Sequence, residues 1–190
     1  MPAAYTTLDL APAVLPDGAL PSGFARPRPD DVDLVVDGRP LLHRLDGADG
    51  TDAVSPLAAD LPPTLRAEHI HRLLAAAPAP THGRHLPEAA PAPADGRQVI
   101  YSCPDCADPG CGVVTAVVER ECEYGEYGEH GDVIVWRDFA WQTGPAADPA
   151  RDGYPGVGPY RFHGADYRAV LLRLLDASAR RSGQALEFVP

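Results

Sequence analysis

The chain has 190 residues, 22 prolines and four cysteines, and its formal net charge at pH 7 is −11. This length is typical of one domain with extensions, and a composition that is 45% hydrophobic suffices for a buried core. Nucleic acids and anionic membrane surfaces attract clustered cations, so the acidic balance predicts that the chain binds neither.

The first 20 residues contain no basic region and no continuous apolar stretch, which argues against a signal peptide or an anchor. No segment reaches the ~18 apolar residues of a membrane span. We therefore expect a cytoplasmic protein. In a reducing compartment, clustered cysteines indicate metal binding or redox chemistry rather than structural disulfides.

The N-terminal part of the chain is rich in proline, and residues 1–30 are predicted to form an extended tail. A single domain is predicted over residues 31–190. It opens with two apolar runs, 32–36 and 39–45, around Asp37-Gly38, a dipeptide suited to the type I′ turn of a β-hairpin. Pro40 has no amide to donate, so it belongs to an edge strand or begins a helix.

Two helices are predicted next, a short one from Ser55-Pro56 to Leu61 and an amphipathic one over residues 65–77. Residues 78–96 are rich in alanine and proline, which indicates an internal linker or a surface loop.

The C-terminal half predicts an antiparallel meander followed by an amphipathic helix. The strands are expected at 98–102, 112–119 and 132–141, with an acidic tip at 121–131 between the last two. After a loop at 143–159, a helix is predicted that ends at Gly183, before a short strand at 186–189. The predicted class is therefore α+β, an antiparallel β meander packed by a C-terminal helix.

Three cysteines lie close together in the connection between the first two of these strands. Cys103, Cys106 and Cys111 have the spacing C-x2-C-x4-C, and we call residues 103–112 the knuckle. Two cysteines separated by two residues in a tight turn can bind one tetrahedral ion, and Gly110 and Gly112 let the backbone curl. The three cysteines are the predicted metal ligands, with zinc as the first candidate and an Fe–S cluster as the alternative.

A structural zinc site needs a fourth protein ligand. Cys122 and His130 are excluded, because a strand of eleven residues at ~3.3 Å each places them more than about 30 Å from Cys111. The candidates that remain lie within the knuckle or on histidines elsewhere, and spacing does not choose among them: Asp105, Asp108, His69, His71, His82, His85 and His163.

The segment from Val99 to Cys106 resembles the strand and Cys-Pro-x-Cys motif of glutaredoxin-like proteins, in which a helix N-terminus activates the first thiol. This resemblance covers eight residues and implies a thiol oxidoreductase working through Cys103, with Cys106 or Cys111 as the resolving thiol. The residues that follow, Ala107 to Gly112, leave no place for the activating helix, so a thioredoxin fold is not expected.

A wider resemblance covers about residues 31–178. The chain resembles a poorly characterised bacterial family in which a strand leads into Cys-x-x-Cys-Gly-Asp-x-Gly-Cys-Gly and a later strand reads Val-x-Trp-x-Asp-Phe. Ala107 stands where the pattern has glycine. Some members are labelled oxidoreductase, a label that implies no particular substrate. Outside the cysteines, the matching residues are Gly96, Arg97, Tyr101, Asp108, Gly110, Gly112, Val135, Trp136, Asp138, Phe139, Phe162 and Tyr167.

Three other groups of residues suggest a site, each with a simpler structural interpretation. The acidic tip offers carboxylates for Ca²⁺, but its order matches no EF-hand loop and a solvated hairpin tip explains it as well. Asp108 and Asp138 would form a catalytic carboxylate pair if they met. Trp136, Phe139 and Trp141 can stack a ligand, although aromatic residues on a sheet are more often core. The acids of the tip are Glu119, Glu121, Glu123, Glu126, Glu129 and Asp132.

From the sequence we thus favour a small protein with a structural zinc knuckle and a binding or accessory role, with a protein partner of unknown identity. The alternative is a thiol-dependent or metal-dependent oxidoreductase, or an Fe–S protein, that uses the same three cysteines.

Overall fold

The computed structural model describes residues 4–13, 32–48, 67–76, 96–102, 112–124, 130–144 and 146–186. The predicted helix at 55–61, nearly all of the predicted linker and the three knuckle cysteines lie outside these residues. The elements in chain order are β1 (Leu8–Pro12), β2 (Val32–Val36), β3 (Arg39–Pro40), α1 (Leu41–Asp46), α2 (Ala67–Ala76), β4 (Arg97–Ser102), β5 (Val113–Tyr124), β6 (His130–Gln142), α3 (Pro149–Asp152), β7 (Tyr160–His163) and α4 (Gly164–Leu186).

The predicted hairpin is confirmed and forms part of a small antiparallel sheet with the order β1-β2-β3. Asp37 and Gly38 have φ values of 47° and 71°, the two positive angles that a type I′ turn requires. Pro40 lies on the edge strand and immediately precedes α1, so both of its predicted settings hold. The second apolar run is nevertheless mostly helix rather than strand, because Leu41, Leu42 and Leu45 are buried together on one side of α1.

Strand β1 lies within the segment predicted as a tail. It pairs with β2 from Leu8 opposite Val36 to Pro12 opposite Val32. Just before it, the amide of Thr6 donates to the carbonyl oxygen of Arg161 in β7 at 2.7 Å. This N-terminal segment therefore links the small sheet to the main one.

The main sheet is the predicted antiparallel meander, with the order β4-β5-β6-β7. Strands β5 and β6 are longer than predicted, with 12 and 13 residues. They reach Tyr124 and His130, so most of the predicted tip is strand and only residues 125–129 of it lie outside the described part of the chain.

One face of the main sheet carries the core, which confirms the α+β class with α4 packed on the sheet. Trp136 is fully buried there, and its Nε1 donates to the hydroxyl of Tyr167 in α4 at 3.3 Å. Phe139 and Trp141 are also buried, at 1% and 7% exposure, so the aromatic residues of β6 are core as the simpler interpretation held.

Helix α4 is longer than predicted. It continues through Gly183 to Leu186, so the prediction that Gly183 ends the helix is wrong. The strand predicted over residues 186–189 is also wrong at Leu186, which is helical. A glycine costs only about 1 kcal/mol inside a helix, which lowers stability without forcing an end. Among the described helices, none combines the length and the apolar character needed to cross a membrane.

Candidate functional site

The knuckle connects two neighbouring strands of the main sheet. Strands β4 and β5 pair as far as Ser102 opposite Val113. Cys103 follows Ser102 directly and Cys111 precedes Val113 by two residues. Chain geometry therefore keeps the Cα atoms of Cys103 and Cys111 within about 17 Å of each other, whatever path the connection takes.

The end of the knuckle is fixed by a close packing contact. Gly112 has a φ of 105°, and a Cβ at this position would overlap the indole ring of Trp141 in β6. Only glycine allows both this backbone conformation and this approach. Gly112 therefore sets where the chain leaves the knuckle and enters β5.

A second fixed point is a β-bulge in β6. The register passes from Thr115 opposite Ala140 to Val117 opposite Arg137, which leaves one extra residue in β6. Asp138 occupies the bulge with a φ of 53°, and the buried Arg97 donates through Nη2 to its carbonyl oxygen at 2.6 Å. Asp138 therefore fixes the backbone of the bulge together with Arg97.

The side chain of Asp138 is half-exposed and forms an ion pair with Arg137. Its predicted catalytic partner, Asp108, lies outside the described residues. Asp138 thus has a structural role in the bulge that does not depend on Asp108.

A buried polar contact lies just before the knuckle. Tyr101 in β4 is fully buried, and its hydroxyl donates to Oδ1 of Asp33 in β2 at 2.5 Å. Burial raises the pKa of Asp33 to about 6, although the Tyr101 hydrogen bond acts in the opposite direction. Burial, together with the negative charge of Asp33, also raises the pKa of Tyr101.

Sequence reasoning missed Asp33. Its signal is an acidic residue inside the apolar run Val32-Asp-Leu-Val-Val36. Strand alternation alone assigns such a residue to the solvent face, whereas here Asp33 is buried and bonded to Tyr101 of the main sheet.

The sheet separates one of the candidate ligands, His163, from the knuckle. Val113, at the knuckle end, pairs with Gln142, whereas His163 pairs with Val133, nine residues away along β6. At ~3.3 Å per residue this is a distance of about 30 Å, which removes His163 from the set of candidate fourth ligands. Cys122 is equally remote along the continuous strand β5, where it is an exposed free thiol opposite Asp132.

The other histidine candidates divide into two groups. His69 and His71 lie on α2, which packs against β4, β5 and α4, and His71 is exposed. His82 and His85 lie outside the described residues. Within the described ranges, no group of three or more His, Cys, Asp or Glu side chains is arranged to hold a metal ion.

In the described part of the acidic tip, the carboxylates are paired with arginines. Glu119 binds Arg137 at 2.6 Å, and Arg161 binds both Glu121 and Glu123. Asp132 binds Arg120 at 2.5 Å. These four carboxylates, which the Ca²⁺ alternative would use, form cross-strand ion pairs. Glu126 and Glu129 are outside the described residues.

Comparisons with family models, with curated protein sequences and with solved structures found no match to this chain.

Proposed function

We propose that the knuckle is a structural zinc site with the thiolates of Cys103, Cys106 and Cys111 as ligands, and that the protein has a binding or accessory role. The observation that carries the proposal is the pairing of Ser102 with Val113. It makes the three thiols part of one ten-residue hairpin connection. Short connections of this kind, with two cysteines at C-x2-C spacing, suit a tetrahedral ion.

The strands around the connection favour a site that holds its geometry. Gly112 is packed on Trp141 at one end, and β4 ends at the other just after the fully buried Tyr101. A metal site gains affinity when rigid elements position its ligands in advance. The residues that match the family pattern and that the structure describes lie at this hairpin or in the core of the protein. This placement supports a motif built around the thiols.

The fourth ligand of the proposed site is a carboxylate of the knuckle itself, Asp105 or Asp108. A ligand from the same connection requires no second segment to fold over the site. The 30 Å separation along the sheet leaves His69, His71, His82 and His85 as the remaining alternatives.

The thiol oxidoreductase is the second candidate, because β4 leads directly into Cys103-Pro-Asp-Cys106 as in glutaredoxin-like proteins. Strand β5 begins at Val113, ten residues after Cys103. This leaves too little chain for a helix of about three turns after the motif, and that helix is what lowers the pKa of the attacking thiol. An Fe–S cluster on the same cysteines is distinguished by its visible absorption.

The test is elemental analysis of anaerobically purified protein and of four single variants, Cys103→Ser, Cys106→Ser, Cys111→Ser and Cys122→Ser. We expect about one zinc per chain in the wild type and in Cys122→Ser, and loss of zinc in the other three. Cys122→Ser is the matched control, because its thiol lies at the opposite end of β5.

Fully folded wild-type protein without metal would contradict the zinc proposal. In that case a reversible disulfide and fast alkylation of Cys103 at neutral pH would support the oxidoreductase. Iron and sulfide with a brown colour would support the Fe–S alternative.

A further inference from the structure

Asp33 joins the two sheets through a carboxyl group that is buried from solvent. The residue belongs to β2 in the small sheet, and its exposed fraction is 0%. Its hydrogen bond to Tyr101 in β4 spans 68 residues of chain. It is therefore a buried polar contact between the two sheets.

The surroundings of Asp33 satisfy only part of the carboxyl group. Oδ1 accepts from the Tyr101 hydroxyl and from the amide of Leu34 at 2.7 Å. Oδ2 has no hydrogen-bond partner among the residues that the structure describes. Leaving a buried carboxylate oxygen without a donor from the described residues disfavours the ionised form, because its lost hydration is not compensated there.

The groups that act on Asp33 come from two elements besides its own strand. Strand β4 contributes Tyr101, and helix α1 contributes the backbone amide of Leu42 and the side chain of His43. A positive charge on His43 favours ionised Asp33, as do the donors, but burial has the larger effect. Across the described residues, these are the titratable and charged groups that affect it.

We propose that the buried carboxyl group of Asp33, bonded to Tyr101, makes the contact between the two sheets a protonation-controlled joint. The joint is tight when Asp33 carries a proton and looser when Asp33 is ionised, because the ionised group loses more hydration on burial than its donors return. The protonated carboxyl group is neutral and therefore suits its buried position. The ionised form places a charge there with one oxygen unpaired, and it draws the small sheet and α1 toward an open arrangement that admits water.

The direction of the pH effect follows from the pKa of Asp33, which is raised from 3.8 to about 6. At pH 5, Asp33 is therefore mostly protonated in the native state and mostly ionised in the unfolded chain. The joint tightens as the pH falls through 6 and loosens as it rises through 6. Because Tyr101 lies two residues before Cys103, loosening acts at the start of the knuckle.

The test follows the Asp33 carboxyl carbon by NMR and the exchange of the Leu34 amide hydrogen, which bonds to the same carboxyl group. We expect a titration midpoint near 6. After correction for the intrinsic rate, the Leu34 amide should exchange about tenfold faster at pH 7.5 than at pH 5. In Asp33→Asn this pH dependence is lost, whereas the exposed control Asp9→Asn keeps it.

A second variant tests the role of the tyrosine. In Tyr101→Phe the carboxylate loses a donor that favours its ionised form, so the midpoint should move upward. If Tyr101→Phe does not fold, His43→Gln takes its place as the test. It removes the positive charge that His43 can place near Asp33, so the midpoint should again move upward. A wild-type midpoint below about 5, or exchange at Leu34 that does not depend on pH, would overturn the proposal.

Discussion

Gly112 lies so close to the indole ring of Trp141 that the smallest side chain would overlap the ring. The substitution Gly112→Ala must displace Trp141 and also place an alanine at a φ of 105°. Overpacking and backbone strain together should lower the free energy of unfolding by roughly 2–4 kcal/mol. Denaturant unfolding measures this loss.

Gly144→Ala is the matched control for this substitution, because no neighbouring atom lies within 4 Å of a Cβ there and its φ is not in the left-handed region. We expect it to change the free energy of unfolding by less than about 0.5 kcal/mol. Equal losses in the two variants would show that Trp141 yields easily and does not fix the end of the knuckle.

Arg97 supports the bulge in β6 by donating to the carbonyl oxygen of Asp138 and, through Nε, to the hydroxyl of Thr115 at 2.9 Å. Arg97→Met keeps much of the apolar stem but leaves these buried acceptors without a donor. We expect a loss of roughly 2–4 kcal/mol in unfolding free energy. Arg151→Met, at an exposed side chain, is the comparison and should be nearly neutral. A loss below about 0.5 kcal/mol for Arg97→Met would contradict this role.

The backbone conformation of Asp138 gives a separate prediction. At a φ of 53°, glycine is relaxed and a β-branched residue is strained. Asp138→Gly should therefore leave stability within about 1 kcal/mol of the wild type, and Asp138→Val should lower it by roughly 1–3 kcal/mol. Thermal unfolding should give a higher melting temperature for Asp138→Gly than for Asp138→Val. A catalytic role alone would not make these two variants differ in stability.

The hydroxyl of Tyr167 accepts a hydrogen bond from the Trp136 indole in the core. In Tyr167→Phe the buried indole N–H loses its acceptor, which should cost about 1–2 kcal/mol. Tyr5→Phe removes a hydroxyl at a residue that is 43% exposed and should cost less. Thermal unfolding of both variants at one pH gives the comparison, and a smaller loss in Tyr167→Phe than in Tyr5→Phe would be the opposite of this prediction.

The raised pKa of Asp33 predicts how stability depends on pH. Between 3.8 and about 6 the native state binds more protons than the unfolded state, so the contribution of this group falls as the pH rises through that window. The total effect is on the order of a few kcal/mol. Denaturant unfolding of the wild type and of Asp33→Asn between pH 4 and 7 isolates this contribution. Identical pH profiles for the two proteins would count against it.

Local patterns were enough to predict much of this fold. The Asp37-Gly38 turn, the meander and α4 each depend on turn chemistry or hydrophobic periodicity within one segment. Strand β1 was missed because it ends at Pro12 and its partner β2 begins 20 residues later, at Val32. The bulge at Asp138 was missed for a related reason, since the group that supports it, Arg97, lies 41 residues earlier in the chain.

Less of the candidate site than of the fold could be predicted from the sequence. The spacing of Cys103, Cys106 and Cys111 identified the ligands as a hypothesis, and the strand argument against Cys122 is consistent with the continuous β5. The spacing of residues in the sequence does not exclude His163 as a fourth ligand, because that exclusion depends on the register of β6 with β7. Asp33 was also beyond reach, since the groups around it come from β4 and α1 as well as from its own strand.

Besides its pairing with β2, the N-terminal segment makes bonds with residues far along the chain. The Thr6 hydroxyl accepts from the amide of Arg161, 155 residues later, and Asp9 binds Arg173, 164 residues later. During synthesis the N-terminal segment must therefore wait through 155 or more further residues before it can make these bonds. Contacts of such long sequence range form slowly, so the link between this segment and the distant part of the chain should be among the last contacts of the fold to form.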